Sequence, residues 1–499
     1  MRHFRRALEL LDRFGTGGQL LRCEVLLQLA DAHDRAGEYA ARDDRFAEAA
    51  GIAAALGNTG LFLRAALRYG GVLPANVSPD PRAQALLAEA LQRAGADDSA
   101  AKAMASARLA HWLHTVRPYP ERRDLSDQSV AMARGTGDRR TLATVLLHRC
   151  FALDGPGDVG DALAVADGIA TISAELNDPE LRLEALRIRL GAQFEQGEHS
   201  AATATARDLG ALGQRVGHPE FIRLAAMWDV TLASLEGRFL EADELGVELD
   251  RRLARLGHPQ ADIIPVAQTF TRRWLQGNAA EYIPVFDALS AAAPGNRVWH
   301  AATAWCLAEA GAQDRAARLL REIGPEAAAE ADKNYLWWAI VVGLADAAEL
   351  TGDRRWARTL YDLAAPYAGA NCTLGLAVFL GAVDHWLGVL AGVAGRHDDA
   401  ARHLSAALER HQEMGARPWV ALTQEAYGWV LSRRGRPGDA GQAAALAQAA
   451  ARTAGELGLA AITGRSRLRA GTLPRAGSPQ AGSPRAGLPL AGLPLAGLA

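Results

Sequence analysis

The chain has 499 residues, 49% of them hydrophobic and 22% charged, with a formal net charge of -3. That balance excludes a nucleic-acid surface as the main feature, because neutralising phosphates needs clustered positive charge. Ala and Leu dominate and β-branched residues are sparse, which favours helices over strands. The four cysteines, Cys23, Cys150, Cys306 and Cys372, form no CxxC pair, which excludes a zinc knuckle or a dithiol motif and reads as reduced core thiols in a cytoplasmic protein.

The N-terminus, MRHFRRALELLDRF, has basic residues but no apolar stretch behind them, so it does not read as a secretory signal. The longest apolar runs, 336–345 and 374–383, fall short of the about 20 residues a membrane-spanning helix needs. Residues 1–135 are expected to form less regular helical repeats, because Pro74, Pro79, Pro81, Pro118 and Pro120 interrupt the pattern. Within them Ser99-Ala-Ala-Lys102 formally matches the SxxK of penicillin-recognising enzymes. Its companion motifs are missing, and Asp97, Asp98 and Ser99 read as a helix N-cap. His111 and His114 can share a helix face, but no further ligands accompany them. Together with His397, His403 and His411 they are expected to be solvated or to sit at helix ends.

Residues 136–465 carry a repeat of about 40 residues. One series of turns runs Gly197, Gly237, Gly277, Gly311, Gly352, Gly395 and Gly435. An interleaved series runs Gly137, Asn177, Gly217, Gly257 and Gly295, with weaker members at Gly57 and Gly415. Each places a residue suited to the left-handed conformation where a helix ends, followed by Asp, Asn or Pro where the next begins. Two turns per repeat mean two helices per repeat. Between turns the apolar positions are helical: Leu183, Leu186, Leu190 and Phe194 share one face, and Ala202, Ala206, Leu209, Leu212 and Val216 another. A two-helix unit cannot bury its stripe alone, so roughly ten to eleven pairs are expected to stack up to about residue 465. Gly155-Pro-Gly157-Asp-Val-Gly160 formally matches GxGxxG, but a helix precedes it where a dinucleotide site needs a strand, so it reads as an inter-helix loop.

Eleven tryptophans stand in the chain, and Trp299, Trp305, Trp337, Trp338, Trp356, Trp386, Trp419 and Trp429 crowd its C-terminal half. Trp337 and Trp338 are adjacent and cannot share one helix face, so at least one is expected to face a concave groove. With Arg417 and Trp419 they are the candidate partner-binding residues, since interface hot spots favour Trp and Arg. Asp398 and Asp399 read as a helix start, and Arg465, Arg467 and Arg469 as cations at a helix C-terminus or a contact for an anionic partner. Residues 470–499 are a Pro/Gly-rich near-pentapeptide repeat, expected to be disordered. The fold class is thus all-α: a right-handed, superhelical, tetratricopeptide (TPR)-like solenoid of antiparallel helix pairs with a disordered tail.

Several segments carry a resemblance. Leu363-Ala-Ala-Pro-Tyr-Ala-Gly369, Leu387-Gly-Val-Leu-Ala391, Met414-Gly-Ala-Arg-Pro-Trp419 and the earlier Leu146-Leu147-His-Arg-Cys-Phe-Ala-Leu153 resemble the C-terminal, MalT-like TPR region of large bacterial AAA/STAND-type ATPase regulators. Some of those regulators are fused to adenylate/guanylate cyclase or DNA-binding domains. The resemblance covers nearly all of the chain up to about residue 462. It implies a sensor arm that binds partners and controls an ATPase. A Walker A motif needs GxxxxGK[ST], and neither Lys102 nor Lys333 follows a Gly in that way, so the ATPase and cyclase activities are not implied for this chain. No helix-turn-helix is expected, and the chain begins within a repeat-like helix, as a sensor arm without its engine would.

The expectation is therefore a non-catalytic scaffold or sensor module, cytoplasmic, without cofactor, metal or catalytic residue. It would hold a protein or peptide, such as a cognate ATPase domain, in its groove, with no direct nucleic-acid or membrane binding. The alternative is a free-standing TPR adaptor unrelated to an ATPase.

Overall fold

The computed structural model describes residues 1–11, 18–71, 80–95, 99–114, 117–157, 159–256, 263–325 and 333–469. Asp97, Asp98, Gly257 and the tail 470–499 lie outside the described residues. Among the described residues are 24 α-helices and one two-stranded sheet.

The helices begin and end where local chemistry dictates. Gly137, Gly197, Gly217, Gly237, Gly277, Gly311, Gly352, Gly395 and Gly435 all have positive φ, and so does Asn177. Asp138 caps the next helix by accepting from the amides of Arg140 and Thr141, and Asp353 does the same for Arg355 and Trp356. Ser99 accepts from the Lys102 amide, the capping role read from sequence. Gly295 departs from the series and does not take positive φ. The helix Ile283–Ala292 has already stopped before Pro294, and the Asn296 side chain caps the next helix through the Val298 amide.

Adjacent helices pack as pairs: Gln19–Ala36 on Tyr39–Ala55, Val383–Val393 on His397–Glu413, and Arg417–Arg434 on Asp439–Leu457. Helices two places apart also touch, as Ala100–Trp112 does Arg139–Ala152 and Arg297–Glu309 does Trp337–Thr351, so successive pairs stack. Gly155–Gly157 lies in the turn between the helices Arg139–Ala152 and Val159–Glu175. No helix among the described residues is long and apolar enough to cross a membrane.

The chain forms two compact units. The first is built on Met1–Ala192 and Ala204–Ala226, with a stretch from Val247. Its core includes Cys23, Leu26, Phe46, Phe62, Leu87 and Trp112. The second is built on Gln193–Thr203, Met227–Gly246 and described residues after 262. It contains the one element that the composition did not suggest, a hairpin of β1 (Asn371–Leu374) and β2 (Val378–Ala382). The strands are antiparallel, with Leu374 opposite Val378 and Thr373 opposite Phe379. Gly375, at positive φ, makes the turn possible. Both strands are almost wholly buried, and the Gln268 side chain donates to the carbonyl of Ala377 in the turn at 3.1 Å.

Candidate functional site

The four residues expected to bind a partner do not come together on a surface. Trp337 and Trp338 are 1% and 4% exposed, their rings edge to face at 4.6 Å and both against Tyr367. The expectation that one would face a groove fails because the helix Trp337–Thr351 is enclosed almost all round, which removes the choice between an inner and an outer face. Trp419 is 1% exposed, packed on Trp274, Phe379 and Trp386. Gly381 makes room for it: a Cβ there would stand 2.4 Å from the indole. Arg417 alone is exposed, paired with Glu456 at 2.6 Å.

Of the histidines expected to be solvated or at helix ends, His111, His114, His397 and His411 do sit at or beside helix ends, but His111, His114, His403 and His411 are buried. His111 and His148 bring their Nδ1 atoms within 3.1 Å, with His111 stacked on Phe151. Burial holds both imidazoles well below the ordinary histidine range, so both are neutral and one donates to the other. His114 is buried too, and burial pushes it down to about 4. His403 sits between Asp384, at 2.7 Å from its Nδ1, and the Tyr361 hydroxyl, at 3.1 Å from its Nε2.

Beside the hairpin, the hydrogen-bond network assigns the tautomers. The Ala382 amide donates to His411 Nε2 at 2.9 Å, so the proton of this neutral ring is on Nδ1. That N–H donates to Thr423 Oγ1 at 3.0 Å, and the hydroxyl donates onward to His385 Nδ1 at 2.9 Å. His385 then carries its proton on Nε2, which is buried without a hydrogen-bond partner among the described residues. Its ring is edge-on to Trp386 and Trp419, where an N–H can rest against a π face.

One buried cluster is charged. The last described helix, Ala460–Arg469, packs against Ile263–Leu275, Arg297–Glu309, Arg417–Arg434 and Asp439–Leu457. Its Arg465 is 1% exposed and meets three carboxylates: Glu309, Asp346, and Glu349 at 2.7 Å. One turn on, Arg469 meets Glu349 and Glu425, so Glu349 bridges both guanidiniums. Trp274 Nε1 donates to Glu309 at 2.7 Å, and Ser466 donates to Glu425 at 3.2 Å. The Arg465 guanidinium lies 5.8 Å from the Trp274 ring centre and that of Arg469 5.0 Å from Trp429. Burial pushes the Glu425 carboxyl up to about 8 and the Arg469 guanidinium down to about 9. Four carboxyl groups thus surround two guanidiniums. Asp346 Oδ2 is buried and has no hydrogen-bond partner among the described residues.

Sequence reasoning placed Arg465 and Arg469 at a helix end and missed their acidic receptors. The available signal was Asp346 and Glu349, the only charged residues of the apolar helix Trp337–Thr351, spaced to share a face. Chemically the cluster holds cations and positions them. Among the described residues no group of His, Cys, Asp and Glu is arranged to hold a metal ion. The buried Cys306 and Cys372 thiols are pushed up by burial, which keeps them protonated and unreactive. No family model matches the chain, and no curated protein sequence matches it.

Proposed function

We propose that the chain is a non-catalytic helical-repeat binding module, a right-handed TPR-like solenoid that takes a protein partner. In this reading it is the cytoplasmic C-terminal regulatory part of an ATP-dependent signalling or transcriptional regulator, and a cognate ATPase domain is among its partners. One observation carries the binding role: the acidic pocket of Glu309, Asp346, Glu349 and Glu425 receives side chains from the helix Ala460–Arg469, distant in sequence from the first three. The stacked pairs supply a rigid frame, and the pocket between them supplies recognition. The segments that resemble the regulators, such as Leu363–Gly369 and Met414–Trp419, support the link to an ATPase.

Gel filtration of an extract of the native cells, followed by denaturing immunoblot with antiserum against this chain, tests the proposal. A polypeptide much larger than 52.9 kDa supports the sensor-arm reading. A band near 52.9 kDa in a complex with a different protein would leave a free-standing adaptor. A band of that size eluting as the bare monomer would overturn the binding module.

A further inference from the structure

The helix Ala460–Arg469 is held unlike the paired helices. Its linker is Gly458, at positive φ with open space around it, followed by Leu459. Among the described side chains its inward face is Ala461, Ile462, Arg465 and Arg469, with Leu459, Ala461 and Ile462 fully buried. Ala460 packs on Gly277, where an added Cβ would stand 3.0 Å away, and Arg465 and Arg469 add the ionic contacts. Buried ion pairs are a poor source of stability compared with apolar residues of equal volume, but they discriminate between partners.

The pocket is specific in its chemistry. Flat indoles of Trp274 and Trp429 lie near the two guanidiniums while carboxylates take their N–H groups. A planar, multiply donating cation fits this arrangement and the compact ammonium of lysine does not. The arginines stand four residues apart, one helical turn, so both reach the pocket only from a helix. Four carboxyl groups, of Glu309, Asp346, Glu349 and Glu425, surround the two seated arginines. The fully buried Asp346 Oδ2 is still an open acceptor.

We infer that this pocket is the receptor for an arginine-bearing helix of a partner protein, with arginines at positions i and i+4, and that Ala460–Arg469 occupies it in cis until such a partner takes its place. The inference rests on the binding-module reading and adds the partner's chemistry and its competitor. The turn Gly458–Leu459 is a left-handed helix stop with the Leu459 amide donating to the Ala454 carbonyl at 2.9 Å, so release of Ala460–Arg469 means unseating Leu459, Ala461 and Ile462 along with the arginines.

The test uses the full chain carrying R465M and R469M, which weakens the cis occupant and keeps its volume. The probe is a fluorescent peptide of residues 458–469, GLAAITGRSRLR, followed by anisotropy. The variant should bind the peptide about a hundredfold more tightly than the unaltered chain, in which the tethered helix competes at high effective concentration. Adding E349Q should remove that binding. A peptide with both matching arginines changed to lysine should bind about tenfold more weakly. A variant that is folded by circular dichroism yet binds no better than the unaltered chain would make the pocket a structural clamp and overturn the inference. Should the variant not fold, hydrogen exchange of the unaltered chain decides. Exchange of Ala460–Arg469 through a local opening that salt accelerates supports the inference, and exchange only together with Trp337–Thr351 overturns it. Peptide failure beside an intact native complex sinks the pocket and leaves the binding module. Peptide binding beside a bare native monomer leaves the pocket and sinks the proposed natural partner.

Discussion

Around Thr423 the buried polar groups are neutral, and their partners sit on paired helices or the hairpin; around Arg465 they are charged, and the guanidiniums arrive on a helix outside the pairs. Both clusters are buried beside tryptophan. The relay from Ala382 through His411 and Thr423 to His385 uses each proton once and leaves the His385 Nε2–H beside the indoles of Trp386 and Trp419. The pocket holds more carboxyl groups than guanidiniums, and Asp346 Oδ2 has no hydrogen-bond partner among the described residues. A closed neutral chain fixes architecture, because each member has one arrangement that satisfies it. We infer that an ionic pocket filled from the last described helix can exchange its occupant.

The largest expected effect lies on the closed side. Trp419→Ala removes the indole packed on Trp274, Phe379 and Trp386, and urea unfolding should show a loss of about 3–5 kcal/mol. On the open side, R465M/R469M removes both cations and leaves the carboxyls of Glu309, Asp346, Glu349 and Glu425 buried without them, so the same measurement should show a loss of about 3 kcal/mol or more. Next comes Thr423→Val, which keeps the shape but strands the His411 N–H and the His385 acceptor. Its expected cost is about 2 kcal/mol by the same measurement.

The two clusters also titrate with opposite sign. Burial pushes His385 down to about 3, so between that value and the ordinary 6.5 the unfolded chain binds the proton and the native one does not. Stability therefore falls as pH drops below about 6.5, by up to about 1.4 kcal/mol per pH unit for each such histidine. His411, and His111 and His148 in the first unit, add in the same direction. Glu425 is raised to about 8, so the native chain holds its proton above the ordinary 4.5 and stability falls as pH rises through that window. Urea midpoints against pH should show both limbs, and Glu425→Gln should flatten only the alkaline one. The smallest effect belongs to Arg417→Ala: its exposed pair with Glu456 should matter by no more than about 0.5 kcal/mol.

Much of the frame was legible in the chain itself. Gly137 followed by Asp138, and Gly352 followed by Asp353, spell a left-handed stop and a capping start, and both behave so. These signals are local, involving a backbone conformation and a side chain reaching its own helix. The hairpin was hidden because Asn371–Leu374 and Val378–Ala382 are buried on both faces and show no alternation of apolar and polar residues. The tryptophans misled because type and adjacency say nothing of enclosure, although the apolar sequence from Trp337 to Leu350 already described a helix without a wet face. The pocket needed the tertiary fold: Asp346 and Arg465 are 119 residues apart, and no periodicity links them.

The most direct measurement of the central claim is hydrogen exchange on the full chain at low and high salt, comparing Ala460–Arg469 with Trp337–Thr351. A removable occupant predicts that the terminal helix exchanges through its own opening, faster as salt screens the pocket, while the enclosed helix stays protected. Equal protection of the two helices at every salt concentration would contradict it.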